Sequence, residues 1–403
     1  MEEYKESPWG QIPIHWRISS VKEETDVVTD YVANGSFASL AENVKYKTEK
    51  DYAVLIRLVD YNNQFKGDFV YIDKNAYEFL GKSKLYGDEI IISNVGANVG
   101  TVFKCPHLEY RMSLAPNSIM VKFKGNNDFY YYWLKSHFGQ HMLQSIVTGS
   151  AQPKFNKTNF KDLQIPVPPL DEQESIASIL KSLDNKIEVN RRINDNLEQQ
   201  AMALFKSWFV DFEPFRDQPF VESELGMIPE GWRVGTIGEL LEIKYGKDHK
   251  KLSDGEIPVY GSGGLMRKCE CALYEGESVL IPRKGTLNNV MYVNEAFWTV
   301  DTMFYSIPKI DNVVLFTYLY LSGKDLASMN SGSAVPSMTT EILNNMQIVI
   351  PTEMVIRDFN IKVTSFYSRI KHGNDESRRL AELRDTLLPR LMSGEIKVGD
   401  VTL

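Results

Sequence analysis

The sequence GQIPIHWRI at Gly10–Ile18 returns in the second half of the chain as GMIPEGWRV at Gly226–Val234. Two further strings return after a shorter interval: GSAQPKFN at Gly149–Asn156 as GSAVPSMT at Gly332–Thr339, and LQIPVP at Leu163–Pro168 as MQIVIP at Met346–Pro351. The ends of the two halves therefore match, whereas the middle of the second half is shorter than that of the first. An internal duplication with a constant frame and a variable middle indicates one task done twice on two different targets.

Each middle is rich in short β-type runs that are separated by Gly and Asn. They are Tyr52–Val59, Asp68–Ile72, Glu89–Ser93, Thr101–Lys104 and Ser118–Lys124 in the first half, and Ile257–Tyr260, Ser278–Pro282, Val290–Val293, Trp298–Thr302 and Met303–Ile307 in the second. Both halves contain a matched strand with its lead-in, GDEIIISNVG at Gly87–Gly96 and GESVLIPRKG at Gly276–Gly285. The end of such a strand is where a rigid sheet can present side chains to a ligand.

A long helix is predicted after each strand-rich part. Pro168 and Pro169 stop the preceding structure, and Asp171 can cap a new helix. A seam with heptad spacing follows at Ile176, Leu180, Leu183, Ile187, Asn190, Asn194, Leu197, Ala201, Leu204 and Trp208. The interval that separates the LQIPVP and MQIVIP strings places the equivalent positions at Phe359, Val363, Phe366, Ile370, Gly373, Ser377, Leu380, Arg384, Leu387 and Leu391.

The polar or small positions of the two seams coincide, Asn190 with Gly373 and Asn194 with Ser377. A polar seam position fixes register at some cost in stability, so helices over 171–209 and 354–392 are predicted to pair with each other. The alternative is that each helix packs on its own domain, as most amphipathic helices do. A span of roughly 58 Å, longer than a small domain needs, favours pairing.

Composition and motifs favour a non-catalytic chain without a metal site. Three cysteines, Cys105, Cys269 and Cys271, give no disulfide framework, which points to the cytoplasm. No apolar run is long enough to span a membrane, and the N-terminus lacks the layout of a secretory signal. The strings GKS at Gly81–Ser83 and GSGG at Gly261–Gly264 lack the frame of a phosphate or cofactor loop. His137 and His141 lack a third ligand.

The net charge of −8 is unevenly distributed. Residues 40–124 carry 12 basic and 10 acidic side chains, and residues 244–290 carry 8 and 6, so each variable middle is +2. The remainder of the chain holds −12. So small an excess argues against a protein that holds DNA alone through many phosphates, and it permits base reading within a larger complex.

In their order, and twice over, these strings resemble the specificity subunit of Type I restriction–modification systems, which serve DNA methylation and host defence. The strings that carry the resemblance are the G-x-I-P-x-x-W openings at Gly10 and Gly226, the G-[DE]-x-[IV]-x-I strands at Gly87 and Gly276, PVYGSGG at Pro258–Gly264, FWTVDTMFY at Phe297–Tyr305, IPVPPLDEQESIASIL at Ile165–Leu180, ALFKSWFVDFEPF at Ala203–Phe215 and LLPRLMSGEI at Leu387–Ile396. The second helix departs from the first at Gly373 and Pro389.

The resemblance implies an α+β fold. It consists of two similar, mixed, strand-rich target-recognition domains separated by two long antiparallel coiled-coil helices, with a pseudo-two-fold internal repeat. The expected bounds are 1–170 for the first target-recognition domain, 171–215 for the first spacer helix and connector, 216–351 for the second domain, and 352–403 for the second spacer helix and C-terminal tail.

The resemblance also implies a non-catalytic subunit that reads a bipartite sequence in double-stranded DNA. Its helices are expected to dock two methyltransferase subunits, to which restriction (motor-nuclease) subunits attach. S-adenosylmethionine, ATP and Mg²⁺ then belong to those partners, and this chain holds no cofactor. Two alternatives stay open: a structural coiled-coil assembly protein, or a DNA methyltransferase with an unrecognised active site of its own.

Base reading in the major groove calls for Arg or Lys against guanine and Asn or Gln against adenine. In the first half the candidates for DNA contact are Arg57, Asn62, Asn63, Lys82, Lys84, Asn94, Asn98, Arg111, Asn117 and Lys154. In the second half they are Lys244, Lys247, Lys250, Lys251, Arg267, Lys268, Arg283, Lys284, Asn288 and Asn289. We expect phosphate contacts to outnumber base contacts among them.

Overall fold

A computed structural model describes residues 3–329 and 337–400 of the chain. The described residues form two compact units: unit 1 runs up to Glu188 and resumes at Ser377, and unit 2 runs from Val189 to Glu376. Both units mix short strands with helices, so the predicted α+β class is confirmed. Each unit includes part of both long helices, and the predicted domain bounds stay a prediction. No helix in the described ranges is long and apolar enough to cross a membrane.

Unit 1 is built mainly from short strands. They are β1 (Tyr4–Ser7), β2 (Gly10–Pro13), β3 (Arg17–Ser20), β4 (Thr25–Asp30), β5 (Ala53–Ile56), β6 (Val70–Ile72), β7 (Lys84–Leu85), β8 (Ile90–Ser93), β9 (Val102–Lys104), β10 (Arg111–Leu114), β11 (Ser118–Phe123) and β12 (Gln164–Val167). Its short helices are α1 (Val21–Glu24), α2 (Phe37–Asn43), α3 (Leu58–Asn62), α4 (Lys74–Phe79), α5 (Asn127–Lys135), α6 (His137–Ser145) and α7 (Lys157–Asp162).

Two four-stranded sheets dominate unit 1. One has the order β4-β11-β8-β9 and is antiparallel throughout; the other has the order β6-β5-β10-β7, with β5 and β10 parallel. Strands β5 and β8 are buried at every position, as their continuous apolar sequences AVLI and IIIS require. A strand that is buried on both faces is held in place, and it therefore fixes the position of the loop that follows it.

The first long helix, α8 (Leu170–Phe209), leads into the second half. The strands there are β13 (Phe220–Ser223), β14 (Gly226–Pro229), β15 (Arg233–Thr236), β16 (Leu241–Tyr245), β17 (Ile257–Gly261), β18 (Gly264–Cys269), β19 (Tyr274–Pro282), β20 (Met291–Thr299), β21 (Met303–Pro308) and β22 (Gln347–Ile350). The helices are α9 (Ile237–Leu240), α10 (Val314–Ser322), α11 (Thr340–Asn344) and the second long helix, α12 (Glu353–Met392).

One six-stranded sheet in unit 2 has the order β16-β21-β19-β20-β17-β18. Its first four strands repeat the order and the antiparallel pairing of β4-β11-β8-β9 in unit 1. Where unit 1 builds a separate four-stranded sheet, unit 2 adds only the hairpin β17–β18. The greater length of the first middle therefore corresponds to a sheet that unit 2 lacks among its described residues.

The predicted runs Val290–Val293 and Trp298–Thr302 belong to one strand, β20. The prediction of two strands was wrong because Asn294 and Glu295, two polar residues between the predicted runs, pair with Glu277 and Gly276 across the sheet. The strands β4, β10, β16 and β18 were missed, since their sequences carry polar side chains that break the apolar pattern. Most of the second GSAVPSMT string, residues 332–336, lies outside the described residues.

The long helices α8 and α12 each contain 40 residues, about 60 Å at the rise of an α-helix. Helix α12 continues without a break through Gly373 and Pro389. Pro389 lies in the last turn of α12, and its nitrogen cannot donate to the carbonyl of Asp385.

Within unit 2 the two helices pair antiparallel. The Asn190 amide donates to Glu376 Oε2 at 2.8 Å and the Asn194 amide donates to Asn374 Oδ1 at 2.8 Å. Farther along, the Phe205 and Phe359 rings are 6.2 Å apart. The residue numbers thus rise in one helix as they fall in the other. A polar layer of buried asparagines faces Gly373, where an added Cβ would lie 2.8 Å from Asn194 Oδ1.

Within unit 1 the same two helices contribute other segments. Arg384 Nη1 donates to Asp184 Oδ1 at 2.7 Å. The seam residues Ile176, Leu180, Leu183, Leu387 and Leu391 are buried in one core cluster, against which Leu380 packs. In unit 2 the core holds Phe359, Val363 and Ile370, with Leu197, Leu204, Trp208 and Phe366 packed against it, and Ile187 in unit 1 is half-buried.

The end of α8 departs from the heptad seam. Ala201, Phe205 and Phe209, spaced four residues apart, are the buried positions there, and Phe205 and Phe209 were absent from the predicted seam. They pack into the core of unit 2 as well as against α12. This segment therefore does both of the things considered for the helix from its sequence: it pairs with the other long helix and it packs on its own domain. The core of unit 2 offers a wider apolar surface than a single partner helix. The buried positions here are therefore every fourth residue, instead of the alternating four- and three-residue steps of a coiled coil.

Each G-x-I-P-x-x-W motif anchors the end of a long helix. In unit 2 the Trp232 ring lies 5.9, 5.6 and 4.9 Å from the rings of Phe209, Phe212 and Phe215. In unit 1 Trp16 is 1% exposed and donates from Nε1 to Glu172 Oε2 at 2.9 Å. The opening motif is therefore structural.

Replacing Trp232 by Ala should lower the free energy of unfolding by about 3–5 kcal/mol, because a large buried ring in an aromatic cluster is lost. Urea unfolding followed by circular dichroism measures this. The exposed Glu230, two residues away, offers the control Glu230→Ala, for which a change within about 0.5 kcal/mol is expected. Equal losses in both variants would contradict the anchoring role.

Candidate DNA interface

The strand β8 of unit 1 ends at a loop that is held by two other segments. The Asn94 amide N–H donates to the carbonyl of Asn117 at 3.0 Å, and the Phe155 N–H donates to the carbonyl of Asn94 at 3.1 Å. Val95 forms an isolated β-bridge with Lys154. The loop after the buried strand is thereby fixed to both the β10–β11 turn and the GSAQPKFN segment.

The strand β19 of unit 2 ends in the same arrangement. The Arg283 N–H donates to the carbonyl of Thr302 at 2.9 Å, and the Met338 N–H donates to the carbonyl of Arg283 at 2.9 Å. Lys284 forms an isolated β-bridge with Ser337. We call this repeated set of backbone contacts the strand-end frame. Its equivalent positions are Asn94 and Arg283, Val95 and Lys284, Asn117 and Thr302, Lys154 and Ser337, and Phe155 and Met338.

A groove lies beside the strand-end frame of unit 1. It consists of two adjoining cavities of about 590 and 420 Å³, which share Tyr46, Val95, Pro116, Asn117 and Ser118. Asn94 lines the first cavity and Arg57 the second. The structure thus brings three predicted DNA contacts, Arg57, Asn94 and Asn117, to one groove.

Two aromatic residues of this groove were missed by the sequence prediction. Phe37, which begins α2, is 81% exposed, and Tyr46 is 56% exposed. Large exposed rings beside amide and guanidinium groups form a surface that can contact bases through both π faces and hydrogen bonds. In the sequence, Phe37 and Tyr46 differ from their neighbours only in being aromatic residues within a polar segment. Aromatic residues of an ordinary core can have the same surroundings, so the sequence does not single these two out.

Arg57 is held by a buried carboxylate. Its Nε and Nη2 atoms donate to Asp60 at 3.0 and 2.6 Å, and Nη2 also donates to the carbonyl of Asp68 at 2.9 Å. Asp60 is 1% exposed, and its hydrogen bond raises the pKa of the Arg57 guanidinium above the ordinary value. Only Nη1 has no partner among the described residues, which leaves this arginine a single nitrogen for DNA.

Asn94 and Asn117 differ in how much of the side-chain amide is hydrogen-bonded within the protein. The Asn94 amide nitrogen donates to the carbonyl of Phe155 at 3.0 Å, so half of its amide is used inside the protein. Asn117 is exposed, adopts a left-handed backbone with φ of 66°, and its side chain makes no hydrogen bond within the described part of the chain.

The remaining candidates of unit 1 do not line the groove. Lys84 pairs with Glu78 at 2.6 Å, which raises the pKa of the lysine, and the Arg111 guanidinium lies over the Tyr52 ring at 4.5 Å. Asn62, Asn63, Lys82, Asn98 and Lys154 are exposed, and Lys154 reaches the frame through its backbone.

In unit 2 the frame holds Arg283 beside Tyr245, a residue that the sequence prediction missed. The guanidinium lies over the Tyr245 ring at 5.4 Å, and Nη1 donates to the carbonyl of Asp301 at 3.3 Å. Asn289 donates to the carbonyl of Ser262 at 2.8 Å and so ties the loop after β19 to the turn between β17 and β18. The GSGG string is thus a hairpin turn at the frame.

Other candidates of unit 2 already have partners. Ion pairs join Lys244 to Glu242 at 2.5 Å, Arg267 to Asp254 at 3.1 Å and Lys268 to Glu256 at 2.6 Å. The hydrogen bond to Glu242 raises the pKa of Lys244. Asn288 is held by Asp325 and by the N–H of Ala327. Lys247, Lys250, Lys251 and Lys284 are exposed. Exposed ion pairs are weak, so a phosphate can displace their acidic partners.

Within residues 3–329 and 337–400, no three His, Cys, Asp or Glu side chains are grouped so that they could hold a metal ion.

The fold and the repeated frame define an internally duplicated α+β protein with two long helices. A family model for the Type I restriction modification DNA specificity domain matches residues 31–199 and 229–354. The chain belongs to this family, and the resemblance seen in the sequence is confirmed.

Curated relatives and a solved structure agree with this assignment. The Type I restriction enzyme MjaIX specificity subunit of Methanocaldococcus jannaschii is 25% identical over 99% of this chain and 98% of its own length. The HindI specificity subunit of Haemophilus influenzae is 26% identical over 60% of this chain and 71% of its own. The fold is similar to the crystal structure of a Type I restriction-modification S subunit from M. genitalium, with a TM-score of 0.54, 18% identity, and coverage of 94% and 96%.

Proposed function

We propose that this chain is the non-catalytic DNA-recognition subunit of a Type I restriction–modification complex, and that each unit reads one half of a bipartite DNA sequence. The observation that carries the proposal is the strand-end frame, whose backbone contacts recur in both units while the side chains at its positions differ. A constant frame with changed side chains is what reading two different sequences with one scaffold requires.

The matched family and the relatives are DNA specificity proteins, which supports this function over an assembly protein or an independent methyltransferase. We propose double-stranded DNA and the other subunits of such a complex as the partners. Two methyltransferase subunits dock on α8 and α12, and restriction subunits attach to those. S-adenosylmethionine, ATP and Mg²⁺ are then bound by the partners and not by this chain.

Radiolabelled methyl transfer tests the division of labour. The chain alone should transfer no methyl groups from S-adenosylmethionine to DNA, and the chain assembled with methyltransferase subunits should methylate a defined sequence. Transfer by the isolated chain would contradict the non-catalytic assignment. An assembled complex that protects no particular DNA sequence would instead favour the purely structural alternative.

The isolated chain should bind DNA weakly and with little selectivity. Each variable middle carries an excess of only two positive charges, and the rest of the chain is acidic, so few phosphates can be neutralised. Fluorescence anisotropy at physiological salt should show that methyltransferase subunits tighten selective binding by about 10³-fold or more, the range that separates specific from non-specific complexes. Tight, selective binding by the chain alone would contradict this prediction.

A further inference from the structure

We propose that the strand-end frame holds one base-reading side chain in each unit: Asn117 in unit 1, which reads adenine, and Arg283 in unit 2, which reads guanine. The proposal rests on the proposed function and adds the chemistry by which each half-site is recognised.

Asn117 offers both halves of an unused amide at the centre of the unit 1 groove. It lines both cavities, its carbonyl is held by the Asn94 N–H, and its side chain is exposed without a hydrogen bond in the described residues. An amide whose nitrogen and oxygen are both available can donate to N7 and accept from N6 of adenine. Because the backbone is already fixed, the entropy lost when that pair forms is that of the side chain alone.

The two other candidates of the groove cannot make such a pair. Asn94 has already committed its amide nitrogen to the carbonyl of Phe155, and Arg57 has committed Nε and Nη2 to Asp60 and Asp68. Arg57 keeps Nη1, which suffices for a phosphate or a single base contact, whereas the remaining polar atom of Asn94 is Oδ1, an acceptor that is buried. Asn117 is therefore the bidentate reader, and Arg57, paired with Asp60, lines the second cavity beside it.

Arg283 occupies a different position of the frame, the one equivalent to Asn94. The Tyr245 ring and the carbonyl of Asp301 position its guanidinium, and this carbonyl accepts a hydrogen bond from Nη1. Nε and Nη2 have no hydrogen-bond partner among the described residues, and they form one planar edge. That edge matches O6 and N7 of guanine. Thr302, equivalent to Asn117, carries no amide, so unit 2 lacks the adenine reader of unit 1 at this position.

A left-handed asparagine also has a purely structural explanation, since Asn tolerates positive φ better than most residues. The variant Asn117→Gly separates the two explanations, because Gly satisfies the backbone and removes the amide. Asn312 provides a matched control: its φ is 65°, and its side chain accepts a hydrogen bond from Asn360 inside the protein. Asn117→Asp is the second variant, which keeps the size but cannot donate to N7.

The test uses the full chain assembled with its methyltransferase subunits. Methyl transfer is measured on duplexes in which each base pair of the wild-type target is changed in turn. Asn117→Gly and Asn117→Asp should lower discrimination at one adenine of one half-site by about 5- to 150-fold, the range for one bidentate pair. Asn312→Gly should leave discrimination at every position unchanged.

For unit 2, Arg283→Lys should relax discrimination at one guanine of the other half-site over the same range, because lysine keeps the charge and loses the planar edge. The neighbouring Lys284 is an exposed flexible cation, which suits a phosphate contact, so Lys284→Ala should weaken binding to all duplexes alike and reduce the salt dependence of binding.

The outcomes separate this inference from the proposed function. Discrimination that is unchanged in Asn117→Gly and Asn117→Asp, or that falls equally at all positions, overturns the reading role of Asn117. An Arg283→Lys profile like that of Lys284→Ala overturns the role of Arg283. A wild-type complex that methylates no bipartite sequence overturns the proposed function itself.

Discussion

Exchanging residues 19–148 for the corresponding segment of another family member will replace one half of the methylated DNA sequence and leave the other half as it was. The reason is that each unit has its own core clusters, and two of the three clusters of unit 1 lie wholly within the exchanged segment. The third cluster also includes flanking residues such as Trp16 and Leu180, which the exchange leaves in place. The exchanged segment also contains the groove and most of the strand-end frame of unit 1. Sequencing that detects methylated bases measures the outcome.

The reciprocal exchange of residues 235–331 is the matched control and should replace only the other half. If either exchange changed both halves together, the two units would not read independently. If one exchange alone abolishes methylation, the unfolding curve of that variant shows whether it has misfolded. A folded variant should retain a separate unfolding transition for each unit.

Lengthening both long helices by four residues will lengthen the unspecified gap in the methylated sequence and keep both half-sites. The insertion is placed after Asn194, with a matching step beside its partner Asn374 in α12. Four residues add about 6 Å of helix, close to two base-pair steps of DNA. Both α8 and α12 are continuous across residues of both units, so we propose that their length sets the gap, as a ruler does.

Two controls accompany the lengthened variant. A four-residue insertion of the same composition in the exposed segment after Asp217 should leave the gap unchanged. An insertion in α8 alone should lower stability, because the polar layer that joins Asn190 to Glu376 loses its register. An unchanged gap in the doubly lengthened variant would rule out the ruler.

The duplication, the α+β class and the long helices could be predicted because they depend on repetition and periodicity within the sequence. The recurring strings form equivalent two-stranded pairings in the two units, β3 with β12 and β15 with β22. The 4/3 spacing of α8 and α12 is a local pattern. Strand β20 could not be predicted as one element, since Asn294 and Glu295 are kept extended by pairing with β19, which is a tertiary effect.

Whether a candidate DNA-contacting side chain is already paired within the protein could not be predicted from its residue type. Lys84, Arg267 and Lys268 are ion-paired with acidic residues several positions away, and only the fold brings these groups together. Arg57 was a candidate as a free cation, but Asp60, three residues later, occupies most of its guanidinium. The exposed rings of Phe37 and Tyr245 have no sequence pattern that separates them from core aromatics.

The most direct test of two independent readers on one chain is a map of the methylated bases that the wild-type complex produces in genomic DNA. We expect a bipartite sequence, with two short specified groups of bases separated by a gap of fixed length in which any base is tolerated. One continuous specified sequence, or methylation without sequence preference, would contradict it.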